Sequence, residues 1–263
     1  MTYIAAEHPV EAIGPARLDM LRALPDLAIG AIAGRDSIAA IVSAVRDGGF
    51  TAIIPTSVAT ATEYGDMDAP LRAVARLRSL LGDEADVLDP VRIASPRLWA
   101  ALNGRFAAEI AARWGLYSPC LACHLYVHLA RVPLSWALGM APVITGERDS
   151  HDGRIKLSQT PQSIDAETRV LARAGIELLT PVRTADSTRI AQLVEGWRED
   201  SERLYCVMSG NYETVDGRTV FDEDRYSAYV SEFFEPAGKA VVDAWREGNA
   251  EPDYEAIVRE VLG

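Results

Sequence analysis

Apolar residues along this chain fall into short, mainly apolar runs that alternate with longer stretches at helical spacing. Short apolar runs bounded by turn residues are typical of buried strands, because a strand covered on both faces has no polar side. Five runs predict such strands: Leu27–Ala33, Phe50–Pro55, Ala85–Pro90, Pro142–Thr145 and Ile176–Pro181.

The longer stretches place apolar residues three and four positions apart, which predicts amphipathic helices. Before residue 187 they cover Val10–Leu24, Ile38–Ala44, Leu71–Leu81, Ser95–Trp114, Leu125–Leu138 and Ile164–Ala174. After it, helices dominate: Thr188–Glu199, Asp222–Glu247 and Tyr254–Leu262.

The order of strand, helix and strand within about 30 residues predicts parallel strand pairing. We therefore expect an α/β fold, a Rossmann-like parallel sheet flanked by helices, with a helical C-terminal segment. The expected division is a nucleotide-binding catalytic domain over 1–186 and a mainly helical segment over 187–263 that contributes Cys206.

Charge and composition indicate which classes of binding partner are expected. The 263 residues include 26 Lys and Arg against 38 Asp and Glu, a formal charge of −12, and the only lysines are Lys156 and Lys239. A large nucleic-acid surface needs clustered basic residues and is not expected. No signal peptide or apolar run of bilayer length is evident, which predicts a cytoplasmic protein without a membrane partner.

The first candidate site lies where the strand from Leu27 turns into the next helix. The residues Gly34-Arg35-Asp36-Ser37 leave free backbone N–H groups at the positive end of that helix, an arrangement that binds anions. Asp36 and Ser37 are good N-cap residues, and the Ser37 hydroxyl is a second donor for a phosphate. An ordinary strand-to-helix turn is the alternative interpretation.

The segment Ile32-Ala33-Gly34-Arg35-Asp36-Ser37 resembles the S-G-G-x-D-S loop of the PP-loop ATP pyrophosphatase superfamily, with Ile32 in place of Ser and Ala33 in place of the first Gly. The resemblance implies a Mg²⁺-dependent enzyme that uses ATP to adenylate its substrate and releases pyrophosphate. It implies nucleotide contacts at Ala33, Gly34, Arg35, Asp36, Ser37, Pro55, Thr56 and Gly146, with Asp36 also catalytic.

A second candidate site is the pair Cys120-x-x-Cys123, predicted to lie just before a helix whose N-terminus would lower the thiol pKa. Cys206 follows 83 residues later. Three thiolates can hold a [4Fe–4S] cluster and leave one iron open for a sulfide or substrate. The residues leave other interpretations open: zinc held by the cysteines with His124 or His128, a persulfide-carrying pair, or three buried core cysteines.

The loop, the C-x-x-C pair and the late third cysteine together resemble the iron–sulfur-dependent tRNA 2-thiolation branch of that superfamily, over roughly residues 31–211. This resemblance implies that Cys120, Cys123 and Cys206 are cluster ligands and catalytic residues. The chain lacks that branch's flanking zinc-binding cysteine clusters and an obvious basic RNA surface. The expected acceptor is therefore a small molecule: a base, nucleotide or metabolite.

A third group of polar residues follows the predicted strand Pro142–Thr145. There Arg148, Arg154 and Lys156 are candidate phosphate clamps, with Lys156 also catalytic, and His151 and Asp152 are candidates for acid–base chemistry. Weaker candidates are Glu63 and Asp66 for substrate or Mg²⁺, Ser158 and Gln159 for a base edge, and Arg203, Ser209, Asn211 and Tyr212 around Cys206.

Together these residues predict an ATP-dependent sulfur transferase that forms AMP and pyrophosphate and replaces a carbonyl oxygen of a small acceptor with sulfur. An amidating or other adenylating enzyme with a zinc or persulfide cysteine site is the alternative. A nucleotide-binding protein without activity is the third hypothesis. The acceptor, the sulfur donor and the oligomeric state, a homodimer included, stay open.

Overall fold

A computed structural model describes residues 1–149 and 151–263. A seven-stranded sheet, parallel throughout, forms its centre. Its strands are β1 (Thr2–Ala5), β2 (Leu27–Ala31), β3 (Ala52–Val58), β5 (Asp86–Val87), β6 (Val91–Ala94), β7 (Val143–Ile144) and β8 (Leu178–Leu179). A separate antiparallel ribbon pairs β4 (Glu63–Tyr64) with β9 (Tyr205–Cys206).

Thirteen α-helices surround these strands in the described residues. They are α1 (Pro9–Ile13), α2 (Pro15–Arg22), α3 (Arg35–Gly48), α4 (Ala69–Leu81), α5 (Pro96–Asn103), α6 (Ala107–Trp114), α7 (Pro119–Leu129), α8 (Val132–Ala137), α9 (Pro161–Arg173), α10 (Ser187–Leu193), α11 (Glu223–Tyr229), α12 (Glu235–Arg246) and α13 (Tyr254–Leu262). A π-helical segment, Val230–Phe234, joins α11 to α12.

The sheet lies between two layers of helices, as the alternation of side chains along its strands requires. On β2 and β3, Ala28 and Ile53 point into a core formed with α3, α4 and α10, while Ile29 and Ile54 point into the larger core on the opposite face. The larger core also takes residues of α11, α12 and α13, so these three helices pack on the sheet face opposite to α10.

The observed architecture confirms the predicted α/β class with its parallel sheet. The helix α3 ends at Gly48 and is capped by Gly49, whose φ of +76° suits glycine. Two strands of the central sheet were not predicted, β1 at its edge and β6 beside it, and neither were the two strands of the ribbon, β4 and β9. Across the described residues, every helix is too short or too polar to cross a bilayer.

Several predicted helix boundaries are wrong. The stretch Val10–Leu24 is divided at Gly14, and Ser95–Trp114 is divided after Asn103. The predicted helix Leu125–Leu138 starts six residues earlier, at Pro119, because Ser118-Pro119 is a good helix start. The two cysteines of the C-x-x-C pair therefore lie within the first turns of α7 rather than before it.

Candidate active site

A cavity of about 980 Å³ opens at the carboxyl ends of β2, β3 and β7. The sheet order is β1-β6-β3-β2-β7-β8, so the chain leaves β2 toward β3 on one side and reaches β7 later on the other. Ligands of open parallel sheets bind at such a reversal of strand order. The volume is at the upper end of the range for small-molecule and cofactor sites.

The loop after β2 forms one wall of this cavity. The helix α3 begins at Arg35, with Gly34 in extended conformation as its N-cap, three residues earlier than predicted. The first amides of a helix, here those of Arg35, Asp36 and Ser37, have no acceptor within the helix. A Cβ built on Gly34 would meet only Arg203 Cδ, at 3.9 Å, so space for a ligand remains beside the loop.

The Ser37 side chain has a different role from the one expected. Its hydroxyl is buried, donates to the Gly34 carbonyl oxygen at 2.7 Å and accepts from the amides of Ala33 and Gly34, each at 3.0 Å. It therefore fixes the shape of the loop. The prediction that this hydroxyl binds a phosphate directly is wrong for this conformation, because Ser37 is the third helical residue and reaches back to the N-cap.

Gly146, which follows β7, packs directly against the start of α3. A Cβ at this position would lie 2.3 Å from the Ser37 backbone nitrogen and 2.4 Å from the Asp36 carbonyl carbon. Both neighbours are backbone atoms, which cannot rotate away as a side chain can. Position 146 therefore requires glycine, because two backbones approach each other closely there. This contact joins the loop after β7 to the loop Gly34–Ser37 after β2.

Cationic side chains surround the same loop. The buried guanidinium of Arg148 donates to Asp36 Oδ2 at 2.9 Å and to the Ala185 carbonyl oxygen at 3.0 Å. Burial lowers the pKa of Lys156, and within the described residues its amine forms no hydrogen bond or ion pair. Arg203 lines the cavity with its Nε buried and unpartnered in the described structure. Arg35 and Arg154 line it as well. These cationic side chains therefore line the same cavity as the start of α3, although the net charge of the chain is −12.

The three cysteines line the same cavity as the loop. Cys120 and Cys123 come from α7, Cys206 comes from β9, and all three are free thiols. Within the described residues they do not form a group whose ligand atoms all lie within 4.8 Å of one another. The structure thus brings the cysteines to one site without placing them at the spacing of a single metal ion.

The expected lowering of the cysteine pKa values is wrong. Burial raises the pKa of Cys120 to about 11 and that of Cys123 to about 12, because desolvation outweighs the helix N-terminus. Both thiols are protonated at neutral pH in this state. A metal or cluster that binds them must displace these protons.

The loop after β9 holds Cys206 and Cys120 together. The Cys206 thiol donates to Thr62 Oγ1 at 3.1 Å, and the Cys120 thiol donates to the Met208 carbonyl oxygen at 3.3 Å. Asn211, one of the residues expected near Cys206, accepts from the Ser118 hydroxyl at 3.2 Å. Ser209 and Tyr212, from the same stretch, line the cavity.

Two predicted nucleotide contacts lie elsewhere. Pro55 and Thr56 are inside β3, which runs three residues further than predicted, to Val58. The Thr56 hydroxyl donates to the Gly30 carbonyl oxygen at 3.2 Å and is fully buried. Residues further along the chain, Ser57, Val58, Thr60 and Thr62, line the cavity at this edge instead.

The carboxylates proposed for substrate or Mg²⁺ are held by arginines. Glu63 pairs with Arg92 at 2.7 Å, and burial raises the pKa of Glu63. Asp66 pairs with Arg72 at 2.8 Å and does not line the cavity in the described structure. These pairs explain both side chains as structural groups.

Near the loop after β7, Asp152, Ser158 and Gln159 also line the cavity. Asp152 accepts a hydrogen bond from the Ser187 hydroxyl, and Gln159 Nε2 donates to Glu147 Oε2 at 2.5 Å. His151 faces Arg148, with its Nδ1 3.4 Å from an Arg148 nitrogen. Burial, Lys156 and Arg148 lower the pKa of His151 to about 4, so its expected titration near neutrality is wrong.

The depressed pKa of His151 predicts a pH-dependent stability. Between about pH 6.5 and 4, the unfolded state binds the proton that the folded state does not, so the free energy of unfolding falls as the pH decreases. From pH 7 to 5 this residue should account for about 1–2 kcal/mol of the loss. Urea unfolding of wild type and His151→Asn at both pH values measures it. An equal loss in both proteins would contradict the assignment.

Sequence reasoning missed two buried carboxylates beside the cavity, Glu147 and Glu167. His124 and His128, expected to join the cysteines, face these carboxylates instead. Glu147 Oε1 lies 3.3 Å from His124 Nδ1 and 3.5 Å from His128 Nε2. The signal for Glu167 was present in the sequence, since it is a charged residue at an inward position of the amphipathic helix α9.

The chain is thus an α/β protein whose cavity lies where the strand order of its parallel sheet reverses, beside the start of α3. The chain is 32% identical to uncharacterized protein MJ0009 of Methanocaldococcus jannaschii over 244 residues, which cover 91% of this chain and 87% of that protein. The chain belongs to the family of that protein. No protein-family model matches it.

Among solved structures, the chain is similar to a 4-thiouridine synthetase crystallised with RNA and bound ATP. The TM-score is 0.45 and the identity 14%, and the alignment covers 90% of this chain. It covers 53% of that protein, so this chain spans about half its length.

Proposed function

We propose that this protein is a PP-loop type, ATP-dependent sulfur transferase that adenylates a carbonyl oxygen of a small acceptor and replaces it with sulfur. The observation that carries the proposal is the convergence of two separate motifs on one cavity. The loop Gly34–Ser37 lies at one part of the wall, and Cys120, Cys123 and Cys206 lie at another. The acceptor would be a base, a nucleotide or a metabolite.

The triphosphate of ATP would bind at the start of α3, with Mg²⁺ carried on its phosphates. The amides of Arg35, Asp36 and Ser37 point out of the helix start, where the helix dipole also favours an anion. Lys156 would neutralise charge on the pyrophosphate. Arg203 would assist through its Nε, which has no hydrogen-bond partner in the described residues, while its Nη1 pairs with Glu199 at 2.9 Å. Arg148 would act indirectly, by holding Asp36.

In the first step, the acceptor oxygen attacks the α-phosphorus and the bond to pyrophosphate breaks, with the electron pair leaving on pyrophosphate. In the second, sulfur from an external donor attacks the activated carbon, and AMP leaves with the original oxygen. Lys156 and Arg203 would stabilise the charge that develops on the leaving pyrophosphate in the first step.

The cysteines are chemically suited to an iron–sulfur cluster. They are three free thiols from two elements around one cavity, and a multi-iron cluster separates its thiolate ligands more widely than one metal ion does. Cys120, Cys123 and Cys206 would hold the cluster. Bound there, a [4Fe–4S] cluster would supply one iron without a protein ligand, which can hold sulfur.

Anaerobically purified protein should contain about four irons and four sulfides per chain. Cys206→Ser should lower both severalfold, because Thr62 and the loop after β9 place that thiol at the cavity. Iron and sulfide analysis with a visible absorption spectrum measures this. Wild type without iron, or equal iron in Cys206→Ser, would contradict a three-cysteine cluster.

The reaction itself is tested by incubating the protein with ATP, sulfide and a mixture of small metabolites. AMP and pyrophosphate should form together with a product whose mass rises by the difference between sulfur and oxygen. ADP and phosphate, or AMP formation without any sulfur-containing product, would contradict the proposal. A product formed with ammonia in place of sulfide would indicate amidation instead.

A further inference from the structure

A buried cluster of histidines and carboxylates lies at the cavity that the loop Gly34–Ser37 and the three cysteines also line. His124 and His128 are one turn apart on α7 and face the same side of the helix. Glu147 follows Gly146 after β7, and Glu167 comes from α9. His128 and Glu167 are 1% and 0% exposed, while His124 is 31% exposed on the cavity side.

The histidine nitrogens and carboxylate oxygens of this cluster face one another at ion-pair distances of 3.3 to 3.5 Å without forming hydrogen bonds of good geometry. His124 Nδ1, both His128 nitrogens and both Glu167 oxygens are buried without a hydrogen-bond partner in the described residues. Leaving so many buried polar atoms unpaired is costly, and a native site with several of them calls for a bound group. One ligand atom each of His124, His128 and Glu147 lies close enough to the others to share a bound ion.

The distances match the ligand shell of a small divalent ion. His124 Nδ1, His128 Nε2 and Glu147 Oε1 all lie within 4.8 Å of one another. Glu147 Oε1 is 3.3 Å from the first nitrogen and 3.5 Å from the second. Tetrahedral zinc with ligand bonds of about 2.0–2.1 Å separates its ligand atoms by about 3.3–3.4 Å.

From this geometry we infer that the protein binds one zinc-class divalent cation through His124, His128 and Glu147, separately from its cysteines. Two imidazoles and a carboxylate are a zinc ligand set that leaves one coordination position open, and these three residues line the cavity. Glu167 Oε2, 3.4 Å from His128 Nε2, is a neighbouring carboxylate that adds negative charge to the site.

Other residues support the ligands, as expected around a metal. Gln159 Nε2 donates to Glu147 Oε2, and the Thr145 hydroxyl donates to Glu147 Oε1 at 3.4 Å, so the carboxylate orientation is fixed. The two histidines are fixed by α7, whose inner face is buried. The ion's open position would face the space in front of Gly34 and the cysteines, where it would take water or a substrate oxygen.

The test is metal analysis of purified protein after chelation, loading with one equivalent of Zn²⁺ and gel filtration. Wild type, the Cys120→Ser/Cys123→Ser variant and the surface control His8→Ala should each retain about one zinc. His124→Ala, whose side chain is partly exposed, should remain folded by circular dichroism and bind zinc at least tenfold more weakly. Glu147→Gln serves as a second ligand variant of unchanged size.

Co²⁺ in place of Zn²⁺ provides a second measurement independent of activity and of ATP. The bound ion should show a visible spectrum of low coordination number without the intense near-ultraviolet band that thiolate ligands give. The inference is overturned if wild type retains no zinc, or if zinc is lost from the cysteine variant and kept by His124→Ala. Neither result depends on sulfur transfer, so this site and the proposed reaction succeed or fail separately.

Discussion

Gly146→Ala is expected to abolish ATP binding and to lower the free energy of unfolding by about 2 kcal/mol or more. The added Cβ would lie 2.3 Å from the Ser37 nitrogen, and no rotation of a side chain can relieve that contact. The start of α3 must move away from the loop after β7, and the amides proposed to hold the phosphates move with it. Calorimetric titration with Mg·ATP and urea unfolding measure the two effects.

Gly48→Ala is the matched control for this substitution. Gly48 lies at the other end of α3, and a Cβ there would meet only the Phe50 ring, at 3.5 Å, which is an ordinary contact. This variant should bind ATP as wild type does. If Gly146→Ala bound ATP normally while Gly48→Ala did so too, the close approach after β7 would have no part in nucleotide binding.

Lys156→Met is expected to lower ATP-dependent turnover by about 10²-fold while leaving stability unchanged or raised. The substitution keeps the length of the side chain and removes its charge. In the folded state that charge lies in a partly buried site, where desolvation lowers the pKa of the lysine. Asp36 and Glu147 oppose this shift, and Arg148 and Arg203 add to it. Removing this charge breaks no hydrogen bond or ion pair among the described residues. The substitution should therefore weaken the stabilisation of the bound phosphates rather than the folded state.

The chain offers a close control, since Lys239 is its other lysine. Lys239 lies on α12, far along the chain from the loop Gly34–Ser37. Its amine pairs with Glu235 at 2.5 Å. Lys239→Met should leave turnover unchanged and cost at most a fraction of a kcal/mol, as surface ion pairs do. Equal turnover in the two variants would contradict the role of Lys156.

The central sheet could be predicted because its signals are local. The runs that became β2, β3, β7 and β8 are short, mainly apolar segments between turn residues, and their order implies parallel pairing. The edge strand β1 was missed because Thr2–Ala5 is short and only Ile4 of its four residues is buried. The strand β6 was missed because Arg92, buried in its middle, reads as a solvent-facing residue until its partner Glu63 is seen.

The site could be predicted from the sequence only where its functional residues are close together along the chain. The loop Gly34–Ser37 and the pair Cys120-x-x-Cys123 are local motifs, and the structure brings both to one cavity. The pairing of His124 and His128 with Glu147 and Glu167 joins three elements through the fold, so sequence spacing alone led to the cysteines instead. The pKa values of His151 and the cysteines depend on burial, which no motif encodes.

The most direct test of the account is a crystal structure with an ATP analogue whose α,β-bridging oxygen is replaced by a methylene group. We expect the β- and γ-phosphates to bind the amides of Arg35–Ser37, between Lys156 and Arg203. The α-phosphate should face the cysteines. A nucleotide bound elsewhere, or its triphosphate turned away from the start of α3, would contradict it.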